Sequence, residues 1–219
     1  GFRRFLVAVA LGSAAFSMQE VLLEPYGAAV LGLSVSGTTL LTALFAGGSL
    51  AAFAHAARRL GRGADAHRLA ALGALTGVAA FFAVVFAAPL HAVGLLGCGA
   101  FLIGFGAGLF AVATLISAMT REPGGASGLA LGAWGAAQAS AAGIGVAAGG
   151  VLRDAVSALG AAGLLGAGMR GEAAGYVVVF HLEIILLFAA LVAIGPLVRS
   201  DPACPARVPR RLGLAELPS

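Results

Sequence analysis

Long apolar stretches separated by short polar segments dominate the chain. A helix that crosses a bilayer needs about 20 mostly apolar residues, and six stretches meet that length. The pattern predicts membrane spans over residues 5–24, 38–57, 69–88, 92–119, 127–152 and 176–198. It therefore predicts an all-α polytopic membrane bundle. Residues 1–199 would form a six-helix transmembrane domain and residues 200–219 a cytoplasmic C-terminal tail.

Composition supports a membrane protein and excludes several functions. The chain is 60% hydrophobic and 10% charged, whereas a soluble domain carries roughly 25% charged residues. Nucleic-acid binding is not expected, because no basic stripe is interleaved with aromatic residues. Cys98 lies in an apolar run and Cys204 in the polar tail, so we expect no disulfide. Phosphate-binding loops, metal-ligand spacings and nucleophile–base pairs are missing from the sequence, so we do not expect an enzyme or a bound metal or nucleotide.

The distribution of arginine predicts the orientation in the membrane. Every arginine except Arg153 and Arg170 lies on one side of the predicted spans, and positive residues are retained in the cytoplasm. Both termini are therefore predicted to be cytoplasmic, with residues 25–37, 89–91 and 153–175 on the opposite side. The chain begins without Met and enters its first span at once, which favours one half of a longer protein.

Acidic residues in the first predicted span are the main candidates for function. A carboxylate in hydrocarbon costs a few kcal/mol at least and usually marks a functional site. Glu20 and Glu24 are one helical turn apart, so we expect them on one face. Pro25 is expected to end the helix.

The sixth predicted span places two more polar residues at the same depth. From the helical rise, His181 and Glu183 are expected to lie level with Gln19 and Glu20. Three interpretations remain open: a structural pair such as Glu183 with His181, binding of a pigment, lipid head group or partner helix, and proton coupling. A neutral imidazole can serve as a metal ligand, and the magnesium of a chlorophyll is one such metal.

Small residues within the spans predict close helix packing. Gly104 with Gly108 and Gly128 with Gly132 have the four-residue spacing that lets helix backbones approach each other in lipid. Trp134 and Gln138, also four residues apart, form a polar–aromatic pair in the fifth span, for which core packing is favoured.

The polar segment at residues 58–68 resembles a short cytoplasmic loop of major facilitator proteins. That loop forms charge pairs and helix-dipole contacts which stabilise one conformation. The usual order of its residues is not kept here, and retention of positive charge in the cytoplasm explains the arginines equally well.

Several segments together resemble the PucC/LhaA family. They are SMQEVLLEPYG at 17–27, LIGFGAGLF at 102–110, GAWGAAQ at 132–138 and YVVVFHLE at 176–183. Members are bacteriochlorophyll-delivery or light-harvesting assembly proteins of purple phototrophic bacteria, and form a branch of the major facilitator superfamily. Family members have twelve spans, so the resemblance implies that this chain is the C-terminal six-helix half.

The resemblance implies an assembly factor for light-harvesting complexes LH1 or LH2 that delivers or holds bacteriochlorophyll for antenna polypeptides. It implies the inner photosynthetic membrane as location. Partners would be antenna polypeptides, the reaction centre, lipids and the missing N-terminal half. The alternatives are half of a secondary transporter for a small solute and a structural subunit of a photosynthetic complex. The candidate binding residues are Gln19, Glu20, Glu24, Tyr26, Trp134, Gln138, His181 and Glu183.

Overall fold

α-Helices make up nearly all of the part of the chain that the structure describes. The structure is a computed structural model, and it describes residues 1–120, 127–169, 171 and 173–199. The helices are α1 (Phe2–Met18), α2 (Leu23–Leu31), α3 (Val35–Leu60), α4 (Ala66–Ala87), α5 (Val93–Thr120), α6 (Ser127–Ala161) and α7 (Ala173–Arg199). Short 3₁₀ segments follow α1 at Gln19–Val21 and precede α7 at Ala167–Met169.

The lengths and hydropathy of these helices confirm a polytopic membrane bundle. The five helices α3 to α7 are each long and apolar enough to cross a membrane. The pair α1 and α2, bent by 45° at the intervening 3₁₀ segment, supplies a sixth crossing if it is counted as one span. The predicted tail and Arg121 lie outside the described residues. The orientation and the division into domain and tail therefore stay predictions.

The prediction that Pro25 ends the first helix is wrong. The break comes earlier, at Gln19–Val21, and Pro25 is the third residue of α2. The first N–H groups of a helix have no partner within it, so a proline there loses no hydrogen bond. α2 ends instead at Gly32, whose φ of 67° is left-handed and suits glycine.

The predicted loop 153–175 is also corrected, because α6 continues to Ala161. The two charged residues at its expected start remain helical because they find partners. Arg153 Nη1 lies 2.7 Å from Asp154 Oδ1, and Arg153 Nη2 donates to the Tyr176 hydroxyl of α7 at 2.7 Å. Paired charges near a membrane surface do not end a helix.

Glycine brings the backbones of α3, α4 and α5 into contact. A Cβ on Gly104 would lie 2.0 Å from Phe45 O of α3, and one on Gly108 would lie 3.2 Å from Ser49 Cα. On the other side of α5, a Cβ on Gly106 would lie 2.7 Å from Gly73 O of α4. At Gly104 and Gly106 no larger residue fits without moving a helix, whereas Gly108 leaves slightly more room.

Gly128 and Gly132 do not have the helix contact expected of them. At both positions a Cβ would meet no described atom within 4 Å, and both residues are exposed. The glycines of α6 that do contact another helix are Gly145 and Gly149, whose Cβ positions approach Ala14 O and Met18 O of α1 at 2.6 and 2.9 Å. The predicted pair therefore lies on a face of α6 that no described helix covers, whereas the pair Gly145 and Gly149, with the same spacing, contacts α1.

Arg4 connects the start of α1 to a proline in α7. Pro196 has no N–H, so the helix supplies no donor to the carbonyl four residues earlier, that of Val192. Arg4 Nη2 donates to this oxygen at 3.1 Å, and Arg4 Nε donates to Ala193 O at 3.1 Å. The arginine thus replaces the hydrogen bond that the proline removes.

The loop between α3 and α4 forms one charge pair and one helix cap. Asp65 Oδ1 accepts from the backbone N–H of His67 at 2.7 Å, which satisfies an N–H group at the start of α4. Asp65 Oδ2 lies 3.7 Å from Arg68 Nε. These are the kinds of contact expected from the resemblance to the facilitator loop.

Candidate functional site

A polar groove begins where α1 breaks. The 3₁₀ segment and α2 bring Glu20 and Glu24 to face Thr42 and Phe45 of α3. The groove has a volume of about 210 Å³, and Gln19, Leu23 and Leu41 complete its lining. The two acids share one side of the groove although the helix is not continuous between them.

A second depression of about 200 Å³ continues from the first and shares Glu20 and Phe45 with it. Its walls come from α1, α3, α5 and α6, with Ser13, Ser17 and Gln138 as further polar residues. We call the two together the acidic groove. Carboxylates from the α1–α2 break and a carboxamide from α6 thus line one continuous surface.

The charge of the acidic groove is negative. Its lining contains Glu20 and Glu24, and no arginine or histidine from the described residues. Glu24 accepts a hydrogen bond from the Thr42 hydroxyl, whereas no hydrogen bond is found for the Glu20 carboxylate within the described chain. The groove therefore suits ligands that donate hydrogen bonds or carry positive charge, and it repels anions.

Sequence reasoning missed the contribution of α3 to the groove. A signal was available, because Thr38, Thr42 and Ser49 are spaced four and seven residues apart and so lie on one helical face. Ser49 Oγ lies 3.1 Å from Gly104 O of α5, and Thr42 reaches Glu24. A polar stripe in an apolar span indicates which face is not turned to lipid.

Tyr26 and Gln19 are buried residues rather than open binding groups. Tyr26 is 0% exposed; its hydroxyl donates to Val84 O of α4 at 3.1 Å, and its ring packs edge-on against Phe180 with 5.1 Å between centroids. Gln19 is 2% exposed, and its Nε2 donates to Phe16 O at 3.3 Å. Both side chains stabilise the α1–α2 break and its contacts with α4 and α7.

Trp134 and Gln138 have separate environments. Trp134 is half-buried, and its Nε1 donates to Thr114 Oγ1 at 3.2 Å, which joins α6 to α5. This contact fits the predicted packing role. Gln138 lines the acidic groove together with Glu20.

His181 and Glu183 lie on different faces of α7. Glu183 is 0% exposed, and neither of its carboxyl oxygens has a hydrogen-bond partner in the described chain. His181 is exposed, and its Nδ1 lies 2.7 Å from Val177 O. A carbonyl oxygen only accepts hydrogen bonds, so Nδ1 is the donor in this contact, and the neutral tautomer that fits it has a lone pair on Nε2.

The expected cluster of Gln19, Glu20, His181 and Glu183 forms only in part. Gln19 and Glu20 both line the acidic groove, whereas Glu183 is buried in α7 and His181 faces outward from it. No Glu183–His181 pair exists in the described structure. Residues two apart on a helix point to opposite sides, so equal depth does not bring them together.

Comparison with known proteins finds relatives that are about half identical to the chain. The chain is 51% identical over 222 residues to an uncharacterized protein in the puhA-bchM intergenic region of Rhodobacter capsulatus, covering 100% of the chain and 46% of the relative. It is 47% identical over 195 residues to Protein PucC of Cereibacter sphaeroides, covering 89% of the chain and 41% of the relative. It is 49% identical over 154 residues to Protein PucC of Rhodovulum sulfidophilum, covering 70% of the chain and 34% of the relative.

The chain therefore spans less than half the length of these curated relatives. No solved structure matches it, so the likeness to one half of a major facilitator fold stays a prediction. The family model described as PUCC protein matches residues 1–201, a range that includes all of the described helices. The chain therefore belongs to the PUCC protein family.

Proposed function

We propose that the protein containing this chain assists the assembly of bacterial light-harvesting complexes, LH1 or LH2, by holding or delivering bacteriochlorophyll for the antenna polypeptides. Membership in the PUCC family carries this proposal, together with relatives from purple bacteria at about half identity. We place the protein in the inner photosynthetic membrane with both termini in the cytoplasm.

The acidic groove supports a role in binding rather than in passive structure. Carboxylates in an apolar bundle are costly unless something compensates them, and Glu20 has no described hydrogen bond. α3 and α6, which both contribute residues to the groove, are also the least covered of the five long crossings, at 22% and 17% buried against 44–50% for α4, α5 and α7. The groove therefore opens toward something outside this chain.

We infer that the groove receives hydrogen-bond donors or basic side chains of the cargo. An antenna polypeptide held there would place its donors against Glu20 and Glu24, and the groove would hold the polypeptide while pigment is loaded. The negative lining makes an anionic solute a poor ligand.

The test is complementation of a purple bacterium that lacks the whole protein. Glu20→Gln and Glu24→Gln together remove the charge but keep the shape, so we expect antenna absorbance in the near infrared to fall several-fold. Membrane levels of the variant protein should equal those of the wild type in an immunoblot. Asp154→Asn is the matched control, because it makes the same exchange on an exposed carboxylate outside the groove.

Two results would count against the proposal. Normal antenna absorbance in the strain lacking the protein would overturn the assembly function. Normal absorbance with the doubly substituted groove would overturn the role of the groove and leave the family function to other residues.

A further inference from the structure

His181 is a polar residue on the outward face of a membrane helix. It lies eight residues after the start of α7 at Ala173, which places it about 12 Å along a helix that rises about 1.5 Å per residue. α7 is 27 residues long and exceeds the hydrocarbon thickness of about 30 Å. The exposed imidazole is therefore within the apolar layer, where an unpartnered polar atom is unfavourable.

The hydrogen bond inside α7 determines what His181 can bind. Nδ1 donates to Val177 O, so the neutral imidazole presents a lone pair on Nε2 at the far edge of the ring. A backbone carbonyl bonded to the other nitrogen is one of the usual supports of a histidine that ligates a metal. The contact with Val177 O therefore orients the ring for a ligand that accepts a lone pair.

An apolar strip continues from His181 along the same face of α7. Ile185, Phe188 and Val192 follow at spacings of four, three and four residues, and they are 61%, 49% and 71% exposed. The strip extends about 16 Å from His181 by the helical rise. None of these residues lines the acidic groove.

We propose that His181 is the axial ligand of the magnesium in a bacteriochlorophyll-type pigment bound on the outer face of α7. The inference rests on the proposed function. Such a pigment combines one electron-deficient metal with an apolar ring and a long hydrocarbon tail, which matches one lone pair followed by an apolar strip. The acidic groove offers carboxylates instead and no nitrogen lone pair from histidine. The pigment site and the groove are then separate, with α7 holding the pigment and the groove holding the polypeptide.

The test compares two pigments that differ only in the metal. The whole protein, purified in detergent, is titrated with bacteriochlorophyll a and with its magnesium-free form, bacteriopheophytin a, and binding is followed by the shift of the long-wavelength absorption band. We expect the wild type to bind the magnesium pigment at least ~10-fold more tightly, corresponding to ~1.4 kcal/mol. His181→Leu should bind both pigments equally.

The control is His91→Asn, which removes an exposed histidine in the turn between α4 and α5. His91 has a φ of 48°, a conformation that asparagine tolerates, so the turn should persist. This variant should keep the preference for the magnesium pigment. His181→Phe is a second variant at the same lipid-facing position, and both His181 variants should keep the wild-type elution profile.

The outcomes separate this inference from the proposed function. A His181→Leu protein that keeps the preference for magnesium overturns the inference and leaves pigment delivery intact. A wild type that binds neither pigment overturns both pigment proposals and leaves the assembly role. Lost antenna assembly with an unchanged magnesium preference would show that Nε2 accepts from a partner helix, which also overturns the inference.

Discussion

The contact between Arg4 and the carbonyl exposed by Pro196 can be tested by a double-mutant cycle. Arg4→Met keeps a long side chain but removes both hydrogen bonds, to Val192 O and Ala193 O. Pro196→Ala restores a backbone N–H that can donate to Val192 O within α7. The cycle therefore asks whether the arginine matters because of the proline.

The expected magnitude follows from the two bonds. A hydrogen bond from a charged donor contributes about 1.5–3 kcal/mol net, and the contact with Val192 is exposed, which favours the low end. In a regular helix the N–H of Leu197 donates to Ala193 O, so we expect the bond from Arg4 to add less there. We expect Arg4→Met to lower the free energy of unfolding by about 2 kcal/mol, and by about 1 kcal/mol when residue 196 is alanine.

The assay is equilibrium unfolding of the purified protein in mixed detergent, followed by helical circular dichroism. Arg3→Met is the matched control, because no hydrogen bond is found for Arg3 in the described structure. It should change the stability by less than about 0.5 kcal/mol, as is usual for surface substitutions. Equal costs of Arg4→Met in both backgrounds would refute the reasoning, since the two residues would then act independently.

Two further predictions concern the interior of the bundle. Gly104→Ala should lower the free energy of unfolding by about 1–3 kcal/mol, because a Cβ would meet Phe45 O at 2.0 Å. Gly132→Ala places its Cβ in open space and should raise the free energy of unfolding by up to about 1 kcal/mol through helix propensity. Equal melting temperatures of the two variants would contradict the packing described. Glu183→Leu should raise the free energy of unfolding by about 1–3 kcal/mol, because an apolar side chain replaces a buried carboxyl group without a described partner. A melting temperature below that of the wild type would show that the carboxyl group has a hydrogen-bond partner.

Hydropathy was sufficient to predict the crossings but not their ends. α3, α4, α5 and α7 lie on the predicted spans to within a few residues. The break at Gln19–Val21 was missed because a 3₁₀ segment leaves the apolar pattern unchanged. The end of α6 was missed because the sequence does not reveal that Arg153 will bond to Tyr176, 23 residues away.

The candidate site was predicted only in part. The sequence indicates how deep in the membrane a residue of a helix lies, but it indicates less well in which direction around the helix axis its side chain points. Glu20 and Glu24 were expected on one face, and both line the acidic groove. His181 and Glu183 were expected to lie at one depth and to contact each other or Glu20. Their spacing of two residues instead directs the two side chains to different faces of α7. Glycine spacing likewise identified a possible contact in α6 without indicating which face another helix would cover.

The glycine contacts divide the bundle into two stiff parts with a softer junction. α3, α4 and α5 touch backbone to backbone at Gly48, Gly104 and Gly106, and α1 touches α6 in the same way at Gly145 and Gly149. Between the two parts the contacts are largely side chains, such as Phe16 against Phe110 with 6.0 Å between ring centroids. Flexible rings can slide where peptide groups in contact cannot. The depression that carries Glu20 is lined by residues from both parts, so its width depends on side-chain packing such as that of Phe16 and Phe110 rather than on backbone contacts at glycines.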